Sequence, residues 1–417
     1  EFSLRLPAWF ATIGIVWLTW CLANHARGAA VARWSTLVLS TMVLTYISAG
    51  AVMTDTFLVF GTTLSLVSVW FVLSGRSDYW RWWFFMGLAI GLLSKGPLAV
   101  VLTVIPLVLW AAIFRQQLQP LKKLPWLLGS LLTLAIAVPW YVLAELKTPG
   151  FLNYFIIGEH FSRFLHPGWA GDLYGSAHDR PKGMIWIFWL WASFPWGIIG
   201  LVGFGLAAAR GKTKDIFTGA VQDASTLYLL FCAITPMLFF TLAGNTLWTY
   251  ILPSLPFSAI LIAGWVSQLN LRPWSRIRSG AVLLAPVLIT LYVFIGVSGV
   301  KPLKTEKQLI GRYESIQQAG DGPIFYIGKM PFSARFYSLG DAVEITSTEF
   351  DSLLDADGYA RVFAAIPNDA VDKVLGPRAT DAQKLGENER YQLFSIDLPP
   401  TDSQNDPVDS ELNSKND

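Results

Sequence analysis

The stretch "AVMTDTFLVF", residues 51–60, lies where two long apolar runs meet, with one carboxylate, Asp55, between them. A charge beside hydrocarbon is costly, so the setting of this stretch decides both the fold and the role of Asp55. Of 417 residues, 53% are hydrophobic and 14% are charged, against about 25% charged in soluble domains. Nineteen Trp and 27 Phe point the same way. Apolar runs of about 18 residues, long enough to cross a bilayer, recur over the first 300 positions. The class is an α-helical polytopic membrane protein. A net charge of +2 carries no nucleic-acid signal. Cys21 and Cys232 sit in apolar runs and read as buried, inert thiols.

About ten transmembrane helices are expected, at residues 8–24, 33–51, 56–74, 80–94, 97–113, 125–144, 184–208, 225–243, 247–266 and 279–299. Alternate connecting loops are basic. They hold Arg27 and Arg33; Arg76 and Arg81; Arg115, Lys122 and Lys123; Arg210, Lys212 and Lys214; and Arg272, Arg276 and Arg278. The positive-inside rule makes their shared side cytoplasmic. The opposite face receives the opening "EFSLRL", Asp55, "LSKGP" (93–97), the long loop 145–183, "LAGNTLW" (242–248) and everything after about residue 300. Lys95 and Asp55 stand there as isolated charges. Ionisable groups at membrane depth are functional candidates by default, set against snorkelling or turn roles. For Asp55 the plain alternative is a helix cap with Thr54.

Loop 145–183 is long for a connection, and long loops are often functional. It contains His160, His166 and His178, with Glu159, Arg163, Asp172, Asp179, Arg180 and Lys182. "NYFIIGEHFSRF" predicts an amphipathic helix along the membrane surface. In it His160 and Arg163 are three apart and share a face. A Glu or His there can ligate a divalent metal, and an Arg can hold a phosphate bidentately. Adjacent Glu159 and His160 allow at most one ligand. The plain alternative is a solvated polar face. His178, Asp179 and Arg180 join Glu159 as further candidates.

After residue 300 the pattern changes. "GPIFYIG", "AVEITS", "YARVFAAIP" and "RYQLFSID" predict strands, with helices between them at "TEKQLIGRYESIQQ", "PFSARFYSL", "TEFDSLLD" and "AVDKVLG". The expected organisation is a transmembrane domain over 1–300, a small soluble α/β domain over 301–398 on the non-cytoplasmic side, and a disordered polar tail over 399–417.

Carboxylates, lone cations and a His/Arg helix at one membrane face suit a reaction on a lipid-linked phosphate. Cations hold the phosphate, and a carboxylate takes a proton from an acceptor hydroxyl. A secondary transporter is the competing class. It would place acidic groups deep in broken helices near the midplane, whereas here they sit at span ends.

Several stretches, in order, resemble the polyprenyl-phosphate-dependent membrane glycosyltransferases of the C-type fold. The nearest likeness is to the bacterial aminoarabinose transferases of lipid A and the wider protein O-mannosyltransferase-like family. "SLRLPAWFATIG" resembles the entry to an early span. "MTDTFLVF" resembles the second acidic site, and "GLLSKGPLAVVL" the membrane-edge Lys-Gly motif. "NYFIIGEHFSRF" resembles the interfacial helix. "FTLAGNTLWTYILPSLP" resembles the segment whose Tyr lies near the donor phosphate. The likeness covers about 300 residues, and its order is more specific than any single motif.

The resemblance implies an undecaprenyl-phosphate-sugar donor and a lipid (lipid A-like), glycan or protein acceptor. The setting would be the periplasmic face of the bacterial inner membrane, among membrane lipids and without nucleic acid. Asp55 would be catalytic, and Lys95, Arg163 and Tyr250 would bind the donor phosphate. A divalent metal, zinc or magnesium or manganese, would use His160. The plain alternative for His160 is a hydrogen bond to a phosphate or a backbone carbonyl. One departure matters. The family's Asp-Glu and Arg-Tyr motif and its Glu-Lys-Pro segment do not occur here. The expectation is that an N-terminal part with at least one span precedes Glu1, and a non-catalytic scaffold is the alternative.

Overall fold

The computed structural model describes residues 2–76, 78–171, 178–211, 218–219, 222–268, 272–297, 305–355 and 358–398. Asp172, Lys212, Lys214, the tail 399–417 and the side chains of Arg272, Arg276 and Arg278 lie outside the described residues. The chain divides into two compact units, Glu1–Thr290 and Leu291–Asp417.

The first unit is helical. Its elements begin with α1 (Phe2–Arg27), α2 (Ala29–Ser40), α3 (Val43–Gly50), α4 (Asp55–Leu73), α5 (Trp80–Lys95), α6 (Leu98–Ile113) and α7 (Trp126–Lys147). Apolar helices follow at Met184–Ala192, Trp196–Ala209, Ala224–Thr241, Leu255–Gln268 and Arg272–Val297. Every expected span coincides with helix, and the multi-pass helical class holds. Among the described residues five helical stretches are long and apolar enough to cross a membrane alone: Phe2–Arg27, Asp55–Leu73, Trp126–Lys147, Ala224–Thr241 and Trp248–Val266. Two bent pairs raise this to seven, α2 with α3 at 65° and Met184–Ala192 with Trp196–Ala209 at 108°. The second bend falls at Pro195, which has no N–H to continue the first helix.

Helix α4 is buried on nearly every face. Its partner α5 lies so close that no side chain fits between them. A Cβ on Gly61 would stand 2.5 Å from the Gly87 carbonyl oxygen and 2.7 Å from the Gly91 nitrogen, and a Cβ on Gly87 would stand 2.5 Å from the Gly61 oxygen. This is small-residue packing of the kind that holds helices together in lipid, where tails offer no hydrophobic contrast. Interhelical hydrogen bonds supplement it. Ser65 Oγ donates to Phe84 O at 2.9 Å, Thr133 Oγ1 to Phe85 O at 2.9 Å, Tyr228 OH to Leu66 O at 2.6 Å and Trp196 Nε1 to Thr41 Oγ1 at 2.8 Å.

The two ends of the unit differ. At one, Arg27 pairs with Asp223 at 2.8 Å and also donates to Thr226. Asp223 caps the next helix by accepting from Ser225 N. Burial disfavours its charge, but hydrogen bonds from Thr226 and Ser225 and the Arg27 guanidinium outweigh that and hold its carboxyl below the usual range. Arg81 donates to Lys123 O at 3.2 Å at this same basic end. The other end gathers the start of α1, where Arg5 donates to Gly50 O at 2.6 Å, with Asp55 and Lys95.

The second unit is a five-stranded mixed sheet, in the order β2-β1-β3-β5-β4. The strands are β1 (Ile324–Ile327), β2 (Val343–Ile345), β3 (Arg361–Pro367), β4 (Ala382–Glu387) and β5 (Tyr391–Asp397). β2, β1 and β3 are parallel, and β5 and β4 are antiparallel. The four expected strands and the helices between them are present. Sequence reading missed β4, an edge strand whose "AQKLGE" lacks apolar alternation. Fully buried Glu306 joins Arg390 at 2.9 Å, Tyr326 OH at 3.2 Å and Asn388 Nδ2 at 2.8 Å. Burial raises the Tyr326 hydroxyl far above its ordinary range.

The α4–α5 contact predicts the effect of one methyl group. Gly61→Ala forces backbones apart and lowers stability by about 1–3 kcal/mol. Gly205→Ala, whose added Cβ meets open space, is tolerated. Thermal unfolding of the two solubilised variants checks this, and equal midpoints would refute it.

Candidate active site

Helix α5 stops at Lys95 because Gly96 takes φ 56° and ψ −144°, a region that L side chains avoid. Helix α4 begins at Asp55, whose carboxylate suits the positive end of a helix. Their side chains meet, with Lys95 Nζ 3.3 Å from Asp55 Oδ2. Asp55 is 14% exposed and Lys95 is 30% exposed. The cap alternative is not what the side chains do, since Thr54 at the N-cap makes no side-chain capping bond. Asp55 and Lys95 line one small cleft together with Thr249 and Tyr250, closed by Leu58 and Phe240. The Tyr250 ring packs on Phe240 at a centroid distance of 4.7 Å.

The segment after α7 docks on the end of α5. Residues Asn153–Ser162 wind as a π-helix, followed by one α-turn at Arg163–Leu165. The expected helix is present, with the wider π winding, which is rare and frequent at functional sites. Within it His160 Nδ1 lies 2.6 Å from Phe155 O, and Nε2 lies 2.8 Å from Lys95 O. A side chain at position 96 would block this contact, because its Cβ would stand 2.8 Å from Phe155 and 3.0 Å from His160 Nε2.

One residue earlier, Glu159 accepts from Arg163 NH1 at 2.7 Å and from Tyr154 OH at 2.5 Å. Tyr154 stacks on Trp169. Asn245, 3% exposed, fastens the far end. Its Nδ2 donates to Arg163 O at 2.6 Å and to His166 O at 2.8 Å, and its Oδ1 accepts from Gly168 N at 3.1 Å.

Of the sequence-derived candidates, Asp55, Lys95 and Tyr250 share the cleft, and His160 touches the backbone of Lys95. Arg163 and Glu159 form a clamped pair a few residues along the same segment. Of His178, Asp179 and Arg180, the first two arrive by backbone: His178 O accepts from Thr246 N at 3.0 Å, and Asp179 bridges Asn245. Sequence reading missed Asn245 and Tyr154. An isolated Asn between two apolar runs was the available signal. The residues do not fit a resident metal. Each His160 ring nitrogen is directed at a carbonyl oxygen, and no group of three or more His, Cys, Asp or Glu ligands occurs among the described residues.

Residues 1–155 match the family model of dolichyl-phosphate-mannose-protein mannosyltransferases. The chain is 28% identical over 321 residues to undecaprenyl phosphate-alpha-4-amino-4-deoxy-L-arabinose arabinosyl transferase 1 of Pseudomonas fluorescens, covering 74% of this chain and 51% of that protein. It is 29% identical over 304 residues to the corresponding transferase of Pectobacterium atrosepticum, covering 68% and 50%. The chain thus spans about half the length of the curated relatives it matches. Its fold is similar to the crystal structure of ArnT from Cupriavidus metallidurans bound to undecaprenyl phosphate. The TM-score is 0.72 at 16% identity, covering 95% of this chain and 84% of that one. The resemblance drawn from the ordered stretches holds, and the fold is similar to that of ArnT.

Asn245→Ala removes three hydrogen bonds from a buried site and costs about 1–3 kcal/mol locally. Amide exchange at Gly168 and Gly244 is expected to accelerate by about tenfold or more, with α4 unaffected. Unchanged exchange at Gly168 would show that Asn245 does not fasten the segment.

Proposed function

We propose that this chain transfers a sugar from an undecaprenyl-phosphate-linked donor, of the 4-amino-4-deoxy-L-arabinose class, to an acceptor at the periplasmic face of the bacterial inner membrane. The observation that carries this reading is the Asp55–Lys95 pair in a cleft shared with Tyr250. The segment bearing Arg163 is docked on the carbonyl of Lys95 through His160. The relatives named above support the donor class. The acceptor is an oxygen of a lipid A-like lipid, a glycan or a protein.

The chemistry follows from the groups. Lys95 and Arg163 neutralise the donor phosphate, and the Tyr250 hydroxyl donates to it. Asp55 accepts the proton of the acceptor hydroxyl. The acceptor oxygen forms a bond to the anomeric carbon as the carbon–oxygen bond to phosphate breaks. Undecaprenyl phosphate leaves, and a single displacement inverts the anomeric centre. Glu159 orients Arg163, and His160 ties the segment to α5. The basic loops at the far end support an external site under the positive-inside rule. A transporter reading finds less support, since the breaks at Thr41–Met42 and Ser193–Pro195 carry no ionisable side chain.

The test uses the full-length protein in liposomes, with an undecaprenyl-phosphate-linked donor and lipid A, glycan or protein acceptors. Asp55→Asn keeps the shape and is expected to lower kcat by about 100-fold or more. Lys95→Gln is expected to raise the KM for the donor. Wild-type protein that transfers nothing to any acceptor class would sink the reaction. A fully active Asp55→Asn protein would remove Asp55 from it.

A further inference from the structure

Past the last apolar helix, the large exposed apolar side chains among the described residues are concentrated in one stretch, with Tyr359 at 37% the exception. Phe332 is 66% exposed, Phe336 41%, Leu339 90% and Val343 38%. They lie on the helix Phe332–Tyr337, the turn after it and the start of edge strand β2. Within that turn Leu339 has φ 55°, and it is the one non-glycine residue with positive φ among the described residues. It occupies the position after the helix C-cap Ser338, where glycine normally stands. A leucine there carries backbone strain. Its side chain then projects into solvent, so the second unit by itself gains nothing from either feature.

The surrounding chemistry narrows the partner. Lys329 and Arg335 are exposed beside the tip, and Lys307 Nζ lies 5.8 Å from the centre of the Tyr337 ring. Asp341 and Glu344 are the nearby acids, and Glu344 is engaged by Met330 N at 2.9 Å. Phe and Leu flanked by Lys and Arg is the pattern of segments that lie in a lipid headgroup layer. The tether favours the same partner. The last apolar helix ends at Val297, and the described part of the second unit resumes at Thr305. Eight residue steps reach at most about 30 Å, so a bilayer surface is always within range at high effective concentration.

We propose that the Phe332–Leu339 tip is a lipid anchor. Phe332, Phe336 and Leu339 enter the headgroup boundary of the adjacent leaflet, while Lys329 and Arg335 face lipid phosphates. The anchor is independent of the transfer reaction.

The test is spin-label accessibility on the full chain in nanodiscs of phosphatidylethanolamine and phosphatidylglycerol. Cys21 and Cys232 are buried, so added cysteines take the label. A label at Phe332→Cys is expected to collide more with oxygen than with a water-soluble nickel chelate. A label at Lys373→Cys, on the helix Val371–Leu375, shows the reverse. Adding Leu339→Gly to Phe332→Cys relieves the strained turn, so the unit stays folded, and nickel collisions at 332 rise. The proposal is overturned by a nickel-accessible label at 332 in the starting protein. It is equally overturned by a label shielded from both reagents, which marks a protein partner, or by one that Leu339→Gly leaves unmoved.

Discussion

The backbone contact between α4 and α5 fixes where Asp55 and Lys95 meet. Gly61 meets Gly87 and Gly91 with no room for a methyl group, and Ser65 reaches Phe84. That sets an antiparallel register. Moving back from Gly61 along α4 and forward from Gly91 along α5 brings the chain to Asp55 and Lys95 at the same level. Their ion pair follows from helix packing some distance away. A change in register would carry the two charges apart and leave each at membrane depth without the other.

The rest of the site builds on the end of α5. Gly96 stops the helix and leaves the Lys95 carbonyl open, and His160 takes it. This brings in a segment that no longer behaves as an ordinary surface helix. Its wider winding turns His160 onto the Phe155 carbonyl while Glu159 still reaches Arg163. Asn245, distant in sequence, then closes the arrangement with three bonds from one buried amide. A buried amide with its bonds made is a strong positional constraint, because losing any partner leaves a desolvated polar group.

Much of this was legible in the sequence, and what was hidden has physical reasons. Spans were legible because bilayer thickness imposes length and apolarity. Their breaks at Met42 and Pro195 were not, since the composition continues through them. Asp55, Lys95 and Tyr250 stood out as polar groups at span ends, but their convergence depends on the glycine register. His160 was legible as a residue type suited to metal. Its orientation is set by Gly96 and Phe155, which sequence spacing does not reveal. Asn245 carries no charge and so raised no flag, although its partners are all backbone. In the second unit β4 was hidden because an edge strand needs no apolar face.

The charge pairs of the first unit differ in how firmly they are held. Arg27 and Asp223 lie 2.8 Å apart, and Asp223 accepts further bonds from Ser225 and Thr226. Charge-assisted bonds ordinarily fall at about 2.7–2.9 Å, so that pair is saturated and ties two loops together. Arg163 and Glu159 are equally close, at 2.7 Å, and Tyr154 holds the carboxylate from its other oxygen. The Lys95–Asp55 contact is longer, at 3.3 Å, and its ammonium is partly open to a cleft. A lysine is a compact charge on a flexible stem, able to swing between partners without the fork geometry an arginine requires. In the proposed reaction an incoming phosphate would meet one cation already oriented by a carboxylate, Arg163, and one that can move, Lys95. Drawing Lys95 toward the phosphate would loosen its hold on Asp55. The carboxylate would then be free to accept a proton at the moment the donor is bound.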